Sequence, residues 1–144
     1  MRVLADVDTG IDDACALVQL VGAERLGATG EAPDVELAAV TVTGGNASAR
    51  QCALNTAGVL DLLGRPDVEV AVGAQAPLRR PAETTPETHG EQGLGHARVP
   101  WRPERISPRP AVDVWLEELR AHPGETVLLC TAPLTNLALA LRAE

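Results

Sequence analysis

The stretch Val3-Leu-Ala-Asp-Val-Asp-Thr-Gly-Ile-Asp-Asp-Ala14 decides the interpretation of this chain, because four aspartates crowd into eight residues at the end of a short strand-like run. These are Asp6, Asp8, Asp12 and Asp13. Like charges this close repel one another, so the cluster does not stabilise a fold by itself. Hard cations such as Ca²⁺ and Mg²⁺ prefer oxygen ligands and would neutralise it. The cluster therefore predicts a metal site at a strand terminus.

Two other interpretations of this turn are possible. A purely structural one, with Asp12 as helix cap and Asp13 facing the helix dipole, accounts for one or two acids but not for four. A phosphate site is the second, because helix N-termini attract anions. The turn, however, lacks the Gly-x-Gly-x-x-Gly and Gly-x-x-x-x-Gly-Lys patterns, and its carboxylates would repel phosphate. The metal site is favoured, with Asp8 and Asp13 as the best ligands.

Length and composition are those of a globular protein. The 144 residues fit a single domain, 1–144, with 45% hydrophobic and 22% charged residues. The formal net charge of −8 argues against nucleic acid and anionic membranes as partners. No apolar stretch is long enough to span a membrane, and the start does not resemble a signal peptide. A cytoplasmic location is the expectation.

The three cysteines support that location. Cys15, Cys52 and Cys130 lie singly within apolar segments, and their spacing matches no zinc pattern. Their odd number also argues against a disulfide framework. They are predicted to be small buried hydrophobic residues in a reducing compartment.

Strand and helix patterns alternate along the chain. The predicted strands are Val3–Val7, Val35–Thr43, Val68–Val72 and Thr126–Thr131. The predicted helices run from Asp12 or Asp13 to about Leu20, over Ser48–Leu63, over Pro110–Ala121 and over Leu134–Arg142. A loop is predicted for Gly27–Asp34, and a long functional loop for about 73–108, which holds most of the prolines.

This alternation predicts an α/β fold with an open, largely parallel sheet flanked by helices. In such sheets, ligands bind beyond the carboxyl ends of the strands. The acidic turn, Thr43–Asn46, the glycine-rich segment His89–Gly95 and Thr131–Asn136 all follow or lie near strand ends. Acid, amide, imidazole and carbonyl groups are therefore expected to meet at one edge of the sheet.

Four segments resemble successive motifs of the inosine-uridine-preferring nucleoside hydrolase family. They are Asp6-Val-Asp-Thr-Gly-Ile-Asp-Asp-Ala14, Val42-Thr-Gly-Gly-Asn46, His89-Gly-Glu-Gln-Gly-Leu-Gly95 and Thr131-Ala-Pro-Leu-Thr-Asn-Leu-Ala138. They occur in the family's order and span almost the whole chain. The aspartate motif is highly specific, and the other three are persuasive together.

The resemblance implies a Ca²⁺-dependent enzyme that hydrolyses the N-glycosidic bond of ribonucleosides to ribose and free base. Asp8 and Asp13 would be calcium ligands, together with the backbone carbonyl of Thr131. Asp8 would also be the general base for a calcium-bound water. Asp6 would help to position these ligands without contacting the ion.

The resemblance also implies the contacts to the substrate. Asp12 would hold a ribose hydroxyl, Asn46 would lie beside the water and the sugar, and His89 would line the nucleoside pocket. Simpler roles remain open for two of them, because Asn46 is also a good N-cap and His89 could be a solvated loop residue. Asn136 is expected to be structural rather than catalytic.

The chain departs from the family pattern in two respects. Thr9 stands where the family usually has proline, and family members continue well beyond position 144 to supply a further aspartate ligand and ribose contacts. The chain is therefore expected to correspond to the amino-terminal part of the fold and to have little or no activity alone. Uncovered apolar surface leaves a homo-oligomer open as a partner.

Two other functions are alternatives to nucleoside hydrolysis. A haloacid-dehalogenase-like phosphatase also places an Asp-x-Asp motif after a strand, as Asp6 and Asp8 are placed here. That family needs Thr or Val where Gly10 stands, and it gives no role to Asp12 and Asp13. A non-catalytic metal-binding domain is the other alternative, and metal binding without hydrolysis would favour it.

Overall fold

The computed structural model describes all residues, 1–144, as five strands and five α-helices in alternation. The strands are β1 (Arg2–Val7), β2 (Glu36–Val42), β3 (Glu69–Val72), β4 (Ile106–Ser107) and β5 (Thr126–Cys130). The helices are α1 (Ile11–Ala28), α2 (Ala49–Leu62), α3 (Pro86–His89), α4 (Ala111–Ala121) and α5 (Thr135–Ala143). A 3₁₀ turn at Pro103–Arg105 precedes β4.

The strands form one sheet in the order β4-β3-β2-β1-β5, and every neighbouring pair is parallel. The predicted parallel α/β sheet is confirmed. The chain moves outward from β1 to β4 on one side and then returns through α4 to place β5 on the other side of β1. Strand order therefore reverses between β1 and β5, which is where open α/β sheets form their ligand crevice.

The side chains of β1 alternate between two cores, as period-two geometry requires. Ala5 and Val7 pack with α1 and α2 in a cluster of 15 buried hydrophobic residues. Leu4 lies on the opposite face of the sheet, where it packs against Trp115 of α4 and Ala140 of α5. Because both faces are covered, β1 is held rigidly from either side, and the turn that follows it has a fixed starting point.

Several boundaries differ from those predicted. Helix α1 continues to Ala28, beyond the predicted end near Leu20, because Leu17 and Val21 continue its buried stripe. The connection 73–108 contains α3 and the strand β4, neither of which was predicted from the sequence. β4 has only two residues, too few for an alternating pattern to be recognised.

The cysteine prediction is confirmed for Cys52, which is buried, and is wrong for Cys15, which is exposed. Cys130 is partly buried. Cys15 is two residues from both Asp13 and Leu17 on α1, and positions two apart do not share a helix face. It therefore points away from the buried stripe. None of the helices is both long enough and apolar enough to cross a membrane.

One edge of the sheet is uncovered. β5 pairs with β1 on one side and has no partner strand on the other. Val127 and Leu129 of β5 remain 45% and 37% exposed, and Leu141 of α5 is 72% exposed. We call Val127 and Leu129 the β5 edge: they leave apolar side chains exposed on a strand with unpaired backbone groups.

Candidate active site

The acidic turn connects β1 to α1 at the strand-order reversal. Gly10 is the N-cap of α1, and Asp13, at the third helical position, accepts a hydrogen bond from the Gly10 backbone N–H at 2.9 Å. The suggested capping of this helix by Asp12 or Asp13 is therefore replaced by a Gly10 cap with Asp13 bonded back to it. The helix begins immediately after the bend, so Asp13 turns inward rather than out to solvent.

Asp8 and Asp13 are both buried, with residue exposures of 6% and 2%. The Asn46 backbone N–H donates to Asp8 Oδ2 at 2.9 Å. The Thr131 hydroxyl donates to Asp13 Oδ1 at 2.5 Å. Loops following β1, β2 and β5 thus meet at these two carboxylates, as the parallel sheet predicts.

The electrostatics of this pair are unfavourable in the absence of a cation. Burial raises the pKa of Asp8 to about 6; the Asn46 N–H opposes the rise, and the nearby charge of Asp13 adds to it. No arginine or histidine forms an ion pair with Asp6, Asp8 or Asp13. The fold therefore holds two facing carboxylates with no positive side chain to balance them.

Asp6 lies on the same face of β1 as Leu4 and is fully buried. Its carboxylate accepts hydrogen bonds from Thr41 Oγ1 at 2.7 Å, Asn136 Nδ2 at 2.9 Å and Thr43 Oγ1 at 3.2 Å. Burial raises the pKa of Asp6, and these three donors counteract the rise. The Asp6 backbone carbonyl also accepts the Thr131 N–H at 3.0 Å. Asp6 thus ties β1 to β2, to α5 and to the loop after β5.

Asn136 and Trp115 complete the support of Asp6. Asn136 is fully buried, and its Oδ1 accepts the Ala74 N–H at 2.9 Å. The Trp115 indole N–H donates to Thr41 Oγ1 at 2.7 Å, and that hydroxyl donates on to Asp6. The expected structural role of Asn136 agrees with these contacts.

The three predicted substrate contacts lie around the same turn. Asp12 has a side chain that is 81% exposed, with Oδ1 3.9 Å from His89 Nδ1. His89 Nδ1 also accepts the Ile11 N–H at 3.2 Å. Asn46 Nδ2 lies 3.4 Å from Asp13 Oδ2. The structure therefore brings Asp12, Asn46 and His89 to one rim, which we call the acidic rim together with Asp8, Asp13 and Thr131.

Gly10 is required by close approach rather than by an unusual backbone conformation. A Cβ atom at this position would lie 2.5 Å from Asn46 Nδ2 and 2.6 Å from His89 Nδ1. Both distances are far below van der Waals contact. The absence of a side chain at Gly10 is what allows the amide and the imidazole to approach the turn.

Sequence reasoning missed Asn55 of α2. This residue is 1% exposed, and its Nδ2 donates to Gln92 O at 2.6 Å and to Thr9 O at 3.4 Å. It thereby joins the acidic turn to the glycine-rich segment. The available signal was an amide in the middle of an apolar helix, since a buried polar group needs partners. Thr9, the departure from the family pattern, is buried, and its hydroxyl lies 2.5 Å from that of Thr56.

The acidic rim offers oxygen donors but an incomplete set for a metal. No group of three or more His, Cys, Asp or Glu side chains is placed to hold one ion. Asp8 and Asp13 supply two buried carboxylates, and the Thr131 hydroxyl already faces the second. Hard cations take six or more oxygen ligands, so carbonyls, water or further residues would have to supply the rest. The donor chemistry fits a hard cation.

Comparison with known proteins gives a consistent result. Residues 3–144 match the family model described as inosine-uridine preferring nucleoside hydrolase. The chain is 34% identical over 147 residues to the inosine-uridine preferring nucleoside hydrolase of Leishmania major, covering 99% of this chain and 43% of that protein. It is 31% identical over 144 residues to uridine nucleosidase 1 of Arabidopsis thaliana, covering 99% and 40%.

Solved structures agree with the sequence matches. A plant nucleoside hydrolase superposes with a TM-score of 0.88 at 28% identity, covering 99% of this chain and 43% of that chain. An inosine-guanosine nucleoside hydrolase superposes with a TM-score of 0.81 at 32% identity, covering 99% and 41%. The chain thus spans about two fifths of the length of these relatives, which agrees with the prediction that it corresponds to part of the fold.

Proposed function

Because the chain belongs to the inosine-uridine preferring nucleoside hydrolase family, we propose that its acidic rim serves hydrolysis of the N-glycosidic bond of ribonucleosides. The observation that carries this proposal is the pair of buried carboxylates, Asp8 and Asp13, at the strand-order reversal with no positive side chain beside them. Family membership also argues against the phosphatase alternative, because the nucleoside hydrolase family accounts for the Asp-x-Asp motif on which that alternative rests.

The proposed cofactor is Ca²⁺, held by the Asp8 and Asp13 carboxylates and by the backbone carbonyl of Thr131. When bound, the ion would lower the pKa of a neighbouring water. The uncompensated charge of the two carboxylates supports a cation at this place, and their oxygen donors suit calcium.

In the proposed reaction, Asp8 accepts a proton from the attacking water. The resulting hydroxide forms a bond to the anomeric carbon, the bond from that carbon to the base nitrogen breaks, and the departing base takes up a proton. The sugar passes through an oxocarbenium-like state, and the negative charge of the carboxylates stabilises it. Asp6 contributes by holding β1 and the Thr131 loop in register.

Binding of the sugar is assigned to Asp12, Asn46 and His89. Their position supports this assignment, because a carboxylate, an amide and an imidazole lie around the turn beside the carboxylate pair. Hydrogen bonds made to ribose hydroxyls would disfavour 2′-deoxynucleosides, because the unmatched polar group would remain buried without a partner. The net charge of −8 supports a small-molecule substrate rather than nucleic acid or an anionic membrane.

We further propose weak or absent turnover by this chain alone, a cytoplasmic location and self-association through the β5 edge. Two carboxylates give a low coordination number, and weak calcium binding follows from it. The exposed apolar side chains of Val127 and Leu129 support self-association.

Isothermal titration of the metal-free chain with calcium tests the site. We expect weak binding by the natural chain, loss of binding in Asp13→Asn, and retention in the control Asp12→Asn, whose carboxylate is exposed. A ribose-release assay with inosine and uridine tests turnover, with the chain alone and with a separately supplied remainder of a family member. Absence of calcium binding by the natural chain would contradict the proposal.

The same experiments separate the second candidate function. Calcium binding without ribose release, even with the remainder of a family member supplied, would favour a non-catalytic metal-binding domain. Robust release by this chain alone would contradict the expected weakness of its metal shell.

A further inference from the structure

Thr85 lies between two of the proposed substrate contacts. It immediately precedes the single-turn helix α3, which ends at His89, and it is half-buried against the loop that carries Asn46. The sequence gives no hint of a role, because Thr85 stands in the proline-rich connection and outside the four motifs. Its contacts in the structure are unusual for a threonine at a helix start.

A threonine at a helix N-cap normally accepts a hydrogen bond from a backbone N–H of the first turn. Thr85 makes no such side-chain capping bond. Its hydroxyl instead donates to Asn46 Oδ1 at 3.1 Å, across 39 residues of sequence. Its backbone N–H donates to the Asn46 carbonyl at 3.3 Å. Two hydrogen bonds therefore join Thr85 to Asn46.

The Thr85 carbonyl makes the other half of the connection. It accepts the Thr88 and His89 backbone N–H groups, each at 3.0 Å. The residue thus holds Asn46 through its hydroxyl and N–H and holds the His89 backbone through its carbonyl.

The Asn46 amide is held in one orientation between Thr85 and Asp13. With Oδ1 accepting from Thr85, Nδ2 is directed toward Asp13 Oδ2, 3.4 Å away. The reversed amide would aim its oxygen at that carboxylate and leave the hydroxyl facing an NH₂ group. Asp13 therefore selects this orientation, because its carboxylate only accepts, and Thr85 holds the amide in it by donating to Oδ1.

We propose that Thr85 is a positioning residue for the sugar site: it fixes the Asn46 amide and the His89 backbone in one arrangement without contacting the substrate. This inference rests on the proposed function for the identity of the ligand, whereas the contacts themselves are independent of it. Side-chain hydroxyl chemistry is the specific requirement, since the backbone hydrogen bonds remain with any non-proline residue.

Two variants isolate the hydroxyl. Thr85→Val keeps the side-chain shape and the backbone N–H but removes the donor, and Thr85→Ser restores the donor. The ¹⁵N–¹H spectra of the metal-free proteins report the Asn46 side-chain NH₂ and the His89 backbone N–H. We expect the Asn46 resonances to move in Thr85→Val and to stay at the natural positions in Thr85→Ser, whereas the His89 backbone resonance, held by the Thr85 carbonyl, should stay in both.

Binding of D-ribose in the presence of calcium gives the second readout. We expect about fivefold weaker ribose binding in Thr85→Val, the scale of one lost hydrogen bond, with less than a twofold change in Thr85→Ser. Calcium affinity should change less than twofold in either variant, because the carboxylates keep their own donors. A general loss of structure would instead weaken calcium and ribose binding together.

The outcomes for Thr85 and for the proposed function are distinguishable. If the natural chain binds no ribose, the proposed sugar site fails, and the spectra alone decide the role of Thr85. Unmoved Asn46 side-chain resonances in Thr85→Val would overturn the inference. So would equal effects of the two variants, or moved resonances with an unchanged ribose affinity in a chain that binds ribose.

Discussion

Replacing Asp8 by Asn should stabilise the metal-free chain at neutral pH. The side chain is nearly fully buried, and its pKa is raised from 3.8 to about 6, chiefly by burial, with the charge of Asp13 adding to the rise. A raised carboxyl pKa means that the folded state binds the proton more tightly than the unfolded state. The contribution to stability is therefore complete below about pH 4 and is lost as the pH rises through about 6.

The size of the effect follows from the pKa change. A rise from 3.8 to about 6 corresponds to about 3 kcal/mol at pH 7, since each pH unit is worth about 1.4 kcal/mol. By the same relation, the raised pKa destabilises the folded chain by only about 0.5 kcal/mol at pH 4. Asparagine keeps an oxygen that can accept the Asn46 N–H and removes the charge, so Asp8→Asn should recover most of this energy.

Urea unfolding with EDTA present at pH 7 and at pH 4 measures the prediction. We expect Asp8→Asn to raise the free energy of unfolding by about 2–3 kcal/mol at pH 7 and by less than about 1 kcal/mol at pH 4. Asp12→Asn is the matched control, because its side chain is 81% exposed, and it should change stability by less than about 0.5 kcal/mol. A less stable Asp8→Asn at pH 7, or an equal gain at both pH values, would refute the reasoning.

Three further predictions concern other parts of the chain. Gly10→Ala should weaken ribose binding in the presence of calcium at least about tenfold, because the added methyl group would displace Asn46 and His89. An unchanged ribose affinity would contradict this steric argument. Glu118→Gln should cost about 1 kcal/mol at pH 7 in urea unfolding and almost nothing near pH 2. The reason is that the hydrogen bond from Arg2 lowers the pKa of Glu118, so this stability is present above the ordinary pKa and lost as the pH falls through the lowered one. Leu129→Lys should shift the chain toward monomer in sedimentation velocity, and an unchanged distribution would show that the β5 edge does not mediate association.

Most of the fold was accessible from local patterns. Runs of Val, Leu and Ala at β1, β2 and β5 predicted strands close to their observed limits, since side-chain period and apolar content are local properties. β4 was missed because its two residues carry no period, and its pairing with β3 depends on the chain returning from a long connection. The predicted end of α1 was too early because the sequence marks helix ends only weakly. Packing against the sheet extends the helix to Ala28.

The candidate site was predictable in outline but not in its connections. Asp8, Asp13, Asn46 and His89 follow recognisable motifs, so they could be named from the sequence alone. Asn55 could not, because its partners are backbone carbonyls that belong to two distant loops.

The sequence by itself determined which chemical groups are present: four acids at the end of the first strand and in the turn after it, an amide after the second strand and an imidazole in a glycine-rich segment. It also determined the parallel alternation that brings the strand ends together. Tertiary structure alone decided how these groups face one another. Asp13 points inward because the helix starts at the Gly10 bend, and the buried Asp6 connects three elements. Thr85 makes no side-chain capping bond and donates to Asn46 instead. The physical reason is that residue types and periods are local, whereas burial and hydrogen-bond partners depend on segments that meet only after the sheet has closed around β1.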